Sequence, residues 1–356
     1  MATETAPPPT AVTDERVRRV SGLARLLSRP ELGAALGIVI VWVFFAIVAF
    51  DNNFVSWATT ASILNRTAPL GILAVAVALL MIAGEFDLSI GSILGFAGMA
   101  LLILVSPVDA GGFGWTMVPA VGMALLLALL IGTVNGLLVV TTKLPSFIIT
   151  LGTLLIVRGL TVALSRLRTN RTQLGNLDEV SGFELFHDVF GAKFSIFGSN
   201  FNASILWWVA LAVVATWLLV RTRQGNWIYG TGGAVEAARN VGVPVRRVKI
   251  ALFLTTAFAA FLVALIQAIE FTGADALRGT DQEFNAIIAA VVGGCLLTGG
   301  YGSAVGAALG ALLFGMVQQG IVITGIDGDW YRVFLGGVLV VAVIFNNFIR
   351  QRASRR

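Results

Sequence analysis

A chain of 356 residues that is 57% hydrophobic and only 12% charged, with mean hydropathy +0.89, is not a soluble domain, where about a quarter of residues carry charge. The composition predicts a polytopic membrane protein, so a pI near 10 is no sign of a nucleic-acid partner. One cysteine, Cys295, excludes an internal disulfide, and one histidine, His187, gives no basis for a metal site or a catalytic cluster.

Residues 1–31 are polar. Pro7, Pro8 and Pro9 are followed by Arg16, Arg18, Arg19, Arg25 and Arg29, which reads as a cytosolic tail. The apolar stretch from Leu32 to Phe50 can cross a hydrocarbon core of about 30 Å. No small-residue cleavage site follows it, so it is expected to stay as the first membrane helix. Further apolar segments lie at 68–84, 88–107, 116–141, 145–165, 203–220, 250–271, 284–298, 303–324 and 331–349, ten in all. With an inside start, ten crossings return the tail 350–356, with Arg350, Arg352, Arg355 and Arg356, to the cytosol. Sixteen basic residues then fall inside and six outside, the asymmetry expected of cytoplasmic loops. The expected fold is all-α and polytopic. Its transmembrane domain covers 32–349, with an extracytoplasmic loop at 166–202 and a cytosolic loop at 221–249.

Laying the second and eighth apolar segments together with an offset of 215 places Gly84, Gly91 and Gly95 on Gly299, Gly306 and Gly310. Duplicated, glycine-interrupted segments predict two related halves with broken helices near 84–89 and 299–302. Gly299, Gly300 and Gly302 mark the second break. In the first, Glu85, Asp87 and Ser89 interrupt an otherwise apolar run, and a carboxylate in hydrocarbon costs about 3 kcal/mol. Asp87 or Ser89 is placed to cap the helix that follows. An ordinary cytosolic loop between two spans is the other reading.

Other polar residues could line a path or join helices. Arg158 is a single cation in an apolar run, and Glu270 closes the seventh segment, so the two could pair. Asn65, Glu283, Asn285 and Gln318 are further candidates, with hydrogen bonding between helices as the alternative for the amides.

The loop from Arg221 to Lys249 contains a short helix with deliberate ends. Gly232 and Gly233 precede a helix-compatible octet, Ala234 to Val241, about 12 Å long. Gly242 suits its stop, and Pro244 forbids continuation. Val235, Ala238 and Val241 fall on one stripe, and Glu236, Arg239 and Asn240 on another. One face suits the protein and the other a partner. No Gly-x-x-x-x-Gly-Lys-Ser/Thr motif occurs, so this chain has no P-loop ATPase site of its own.

Four stretches carry a family resemblance: AGEFDLSIGSILGFAGM at 83–99, LPSFIITLGTLLIVRGL at 144–160, GNWIYGTGGAVEAARNVGVPVRRVKI at 225–250, and EFNAIIAAVVGGCLLTGGYGSAVGAALGALL at 283–313. With them the chain resembles the permease subunit of bacterial ATP-binding-cassette (ABC) sugar importers of the ribose, xylose, galactoside and fructose type, over nearly its whole length. The resemblance implies an inner-membrane protein working with a second permease copy, a separate ATPase that binds ATP and magnesium, and an extracytoplasmic sugar-binding protein. It implies ATPase coupling through Gly232, Gly233, Glu236, Ala237, Ala238, Arg239 and Gly242. Two positions depart from the pattern: Ala234 stands where Asn is usual, and Cys295 where Thr is usual. An importer of branched-chain amino acids, nucleosides or an autoinducer sugar would share the architecture. An ion-coupled secondary transporter is the alternative of a different class.

Overall fold

A computed structural model describes residues 31–328 and positions 330–334, 336, 337 and 340. Most of the tail 1–31, the tail 350–356 and most of the expected segment 331–349 lie outside the described residues.

The helices in chain order are α1 (Glu31–Val48), α2 (Trp57–Ile82), α3 (Ile90–Val105), α4 (Met117–Thr142), α5 (Ser146–Thr169), the short α6 (Phe183–Phe186), α7 (Ser204–Arg221), α8 (Arg223–Gly233), α9 (Val235–Asn240), α10 (Val245–Glu270), α11 (Gln282–Val292) and α12 (Ala304–Thr324). Each of the first nine expected segments falls on a helix. Seven helices among the described residues (α1, α2, α4, α5, α7, α10 and α12) are long and apolar enough to cross a membrane, while α3 and α11 are shorter. At 1.5 Å per residue, α11 covers only about 16 Å, about half of a hydrocarbon core of about 30 Å, and irregular backbone flanks it on either side. Such backbone is tolerated at membrane depth only where protein buries it.

Three differences from the expected layout have local causes. The second helix begins at Trp57, eleven residues early, because Ser56 Oγ accepts a hydrogen bond from Thr59 N and caps it. The second break spans 293–303 and not only 299–302, since α11 stops at Val292. The segment 166–202 is no simple loop. There α5 runs on to Thr169, β1 (Gln173–Leu174) pairs with β4 (Ala274–Asp275), and β2 (Lys193–Ile196) pairs with β3 (Ser199–Asn202). The β2–β3 turn is made by Phe197 and Gly198, both at positive φ, the conformation a two-residue hairpin turn requires.

Packing divides the helices into two kinds. Buried residues lie all around α2 and α10, as expected of helices apolar on every side. The outer faces of α4, α5 and α7 expose Leu126, Leu130, Leu155, Ile156, Val213 and Trp217. Small residues let the backbones approach: a Cβ on Gly132 would meet Phe253 O at 2.8 Å, and one on Gly136 would meet Ile250 Cα at 3.0 Å.

The connections gather at two ends of the bundle. At one, Asn65 of α2 donates to Asn200 O and accepts from Asn202 N, Asn202 donates to Glu270, and Arg168 lies over Phe113. At the other lie the two helix breaks, the α4–α5 turn and the helices α8 and α9.

Candidate functional site

The break after α2 begins with a glycine stop. Gly84 has φ +81°, its N–H donates to Met81 O, and Glu85 N donates to Leu80 O. This pattern ends a helix with a left-handed glycine and satisfies the carbonyls that would otherwise be orphaned. The break after α11 begins in the same way: Gly294 has φ +95°, its N–H reaches Val291 O, and Cys295 N reaches Ala290 O. The two stops are therefore 210 residues apart, whereas Gly91 and Gly95 sit on the helices after the breaks at the offset of 215 from Gly306 and Gly310. The spacing from the glycine stop to the matched glycine of the next helix is therefore five residues longer in the second half. Gly299 is consequently not the counterpart of Gly84 but packs against it, since a Cβ on Gly299 would lie 2.7 Å from Gly84 Cα. Gly300 N donates to Ile82 O at 2.8 Å, so the second break completes the hydrogen bonding of the helix before the first.

The helix α8 closes this junction. A Cβ on Gly232 would overlap the Ile82 carbonyl oxygen and come within 2.7 Å of Gly300 N and 2.9 Å of Ala83 C. Tyr229 OH donates to Gly302 O at 2.9 Å. Gly232 and Gly233 thus end α8 and do not stand ahead of a helix as free loop. The expected octet is also shorter: α9 covers Val235–Asn240, and Ala234 is the joint between the two helices. Ala238 is buried and Val235 half-buried, but Val241 lies beyond the helix end and is 80% exposed, so the inner stripe is only two residues long. Gly242, at φ +84°, is the stop that the sequence predicts. The outward face presents Glu236, Ala237 and Arg239, with Arg239 Nη1 2.7 Å from Glu236 Oε1.

Polar side chains fasten the first break to three neighbouring helices. Asp87, fully buried, accepts from Ser89 N at 2.9 Å, Ser89 Oγ at 2.6 Å and Thr256 Oγ1 of α10 at 2.6 Å. Ser89 Oγ accepts in turn from Asn135 Nδ2 of α4, whose Oδ1 accepts from Thr153 of α5. Ser146 and Thr150 hydroxyls take the N–H groups of Phe86 and Leu88. Glu85 pairs with Lys249 at the start of α10. This is no ordinary solvated loop. Nor does Ser89 cap α3 with its side chain: Ser89 sits at the cap position, but its hydroxyl is engaged by Asp87 and Asn135. Ser303 does cap α12, accepting from Gly306 N at 2.9 Å.

The remaining candidates separate. Arg158 pairs with Glu283 at 3.1 Å and not with Glu270, whose carboxylate is taken by Asn202 at the other end of the bundle. Glu283 is 1% exposed, and its Oε2 has no hydrogen-bond partner among the described residues. Asn65 holds the hairpin. Asn285 and Gln318 are half-buried on α11 and α12. The sequence reading missed Asn135, Thr153, Thr256 and Tyr229. Its available signal was spacing: Ser146, Thr150 and Thr153 recur at helical intervals on one face of α5, and Asn135 is a lone amide in an apolar run.

Comparison with known proteins finds relatives over nearly the whole chain. The ribose import permease protein RbsC of Escherichia coli K12 is 30% identical over 330 residues, 92% of this chain and 98% of that protein. The autoinducer 2 import system permease protein LsrC of Escherichia coli O9:H4 is 29% identical over 327 residues, 91% of this chain and 89% of that protein. The inner membrane ABC transporter permease protein YjfF of Escherichia coli K12 is 28% identical over 314 residues, 87% of this chain and 89% of that protein. No solved structure matches the chain. The family model described as branched-chain amino acid transport system / permease component matches residues 59–343, and the chain belongs to that family of ABC importer permeases.

Proposed function

We propose that this chain is the membrane-spanning subunit of an ABC importer in the bacterial inner membrane, carrying a monosaccharide or related polyol. An extracytoplasmic binding protein delivers the sugar, and a separate ATPase, which binds ATP and magnesium, drives transport. The two permease copies of such a complex form the path between them, because sugar hydroxyls lose their hydrogen bonds in hydrocarbon. The family description names branched-chain amino acids, but the relatives that align over nearly their full length are named for ribose and autoinducer 2. That favours the sugar reading.

The observation that carries the coupling assignment is that α8 joins both helix breaks while α9 beside it turns a charged face outward. Lys143, Arg221, Arg223, Arg239, Arg246, Arg247 and Lys249 lie at this end of the chain's crossings, which supports a cytosolic placement for it; both termini belong to that side on the same reading. ATP binding moves the partner, α9 takes up that motion, and α8 delivers it to the end of α2 and to the second break ahead of α12. Access then alternates between the two sides.

Co-purification with the partner ATPase tests this. Replacing Glu236 and Arg239 by alanine removes an exposed ion pair worth less than about 1 kcal/mol to the fold, so membrane insertion is retained while the complex weakens. A double variant that holds its ATPase and takes up labelled ribose at the wild-type rate refutes the docking assignment. Uptake driven by a proton or sodium gradient in this chain alone refutes the importer reading.

A further inference from the structure

A groove of about 450 Å³ lies between α2, α7, α8 and α10, away from the junction of the breaks. Its walls are aliphatic, built by residues such as Ile72, Leu79, Leu211 and Leu252. Gln224 and Arg247 line one end, and farther along α10 Thr255 is the one polar side chain among apolar ones. Trp227 also lines the groove and carries Arg223 over its ring at 5.6 Å.

Dimensions and chemistry narrow the occupant. Along α10 the wall runs from Arg247 to Ala259, about 18 Å of helix. One leaflet of a bilayer with a core of about 30 Å is about 15 Å deep. The groove is therefore about one leaflet long, with its polar end beside the 221–249 segment. Beyond the end with Gln224 and Arg247 a sugar would meet one hydroxyl, that of Thr255, which already donates to Ala251 O, too few partners for its own hydroxyls, whereas an acyl chain needs none. Arg221, Arg223, Arg246 and Arg247 are all exposed and make no ion pair among the described residues. Basic pockets between membrane helices on the cytoplasmic side suit anionic headgroups.

We propose that this groove binds one anionic phospholipid, with an acyl chain between α7 and α10 and the phosphate held by Arg247 and Arg223. The lipid touches the wall formed by α8, so its presence holds that helix against α2 and α10. The site requires neither an ATPase nor a sugar, but its cytoplasmic placement rests on the reading proposed above.

The test uses the full chain purified in a non-ionic detergent. It is incubated with equal amounts of phosphatidylglycerol and phosphatidylcholine, and the retained lipid is identified by mass spectrometry. Phosphatidylglycerol is retained in preference, and the preference falls about fivefold with Arg247→Gln and again with Arg223→Gln. Ala251→Trp, which fills the exposed side of the groove and leaves both arginines, lowers retention of either lipid. The arginine variants sit at exposed positions and decide the matter even if Ala251→Trp does not fold. Equal retention of the two lipids by the native chain, or a preference untouched by both arginine changes, overturns the proposal. It also fails if Ala251→Trp splits a dimer into monomers without changing retained lipid, because a second copy of the chain then covers the groove.

Discussion

Gly232→Ala separates two opposing effects. In a helix interior the change from glycine to alanine is favourable by about 1 kcal/mol, an upper bound for Gly232 in the last turn of α8, so propensity alone predicts at most a modest stabilisation. The contacts oppose it. The added carbon would overlap the Ile82 oxygen and lie 2.7 Å from Gly300 N, and both partners are backbone atoms without a rotamer to yield. Raising the Gly300 separation alone to 3.4 Å requires α8 to withdraw by about 0.7 Å, and the Ile82 oxygen demands more. Overpacking of this kind costs about 1–3 kcal/mol, at least matching the propensity gain, and withdrawal also strains the Tyr229–Gly302 hydrogen bond. Gly233→Ala is the control, since its new carbon meets only Gly300 Cα, at an ordinary 3.8 Å. Melting of the purified chain and uptake by cells should both fall for Gly232→Ala and stay near wild type for Gly233→Ala. A Gly232→Ala variant that melts and transports like the native chain refutes the argument that α8 is seated on the two breaks.

The polar fastenings make two further predictions. Lys249→Ala leaves the Glu85 carboxylate buried without its counter-charge and lowers stability by about 3 kcal/mol, the low end of the range because both groups keep some exposure. Replacing Lys249 and Glu85 together by methionine should recover most of that loss in the same melt, and a double variant no better than the single one counts against the pairing. Thr256→Val keeps the side-chain shape but strips one donor from the buried Asp87, at a cost of about 1–3 kcal/mol. An unchanged melting midpoint would show that Thr256 does not hold the break.

Much of the architecture was legible because the membrane imposes it. The first nine apolar segments fall on helices, since twenty or so apolar residues in sequence have few other stable arrangements there. What the sequence concealed depends on partners far away in the chain. That Arg158 meets Glu283 and not Glu270 follows from how α5 lies against the start of α11, which no local pattern encodes. Glu270 is drawn off by Asn202, a hairpin residue in a segment with little periodicity. The repeat was readable at Gly91 and Gly95 but misled at Gly84, because five extra residues between the second glycine stop and its matched helix glycine slide Gly299 into a contact instead of an equivalence. Asp87 was singled out for its charge, while Asn135, Thr153 and Thr256 were hidden by being small and common.

Where Gly84, Gly232, Gly299 and Gly300 meet, main chain rests on main chain. Side chains ordinarily act as cushions, absorbing a small shift by changing rotamer, so that a push at one place fades within a few residues. Here no cushion exists. A displacement of α8 has to reappear in the last turn of α2 and in the later half of the second break at nearly its full size, or the hydrogen bond from Gly300 to Ile82 must part. The joint behaves like a rigid bearing, and its stiffness comes from what these four residues lack.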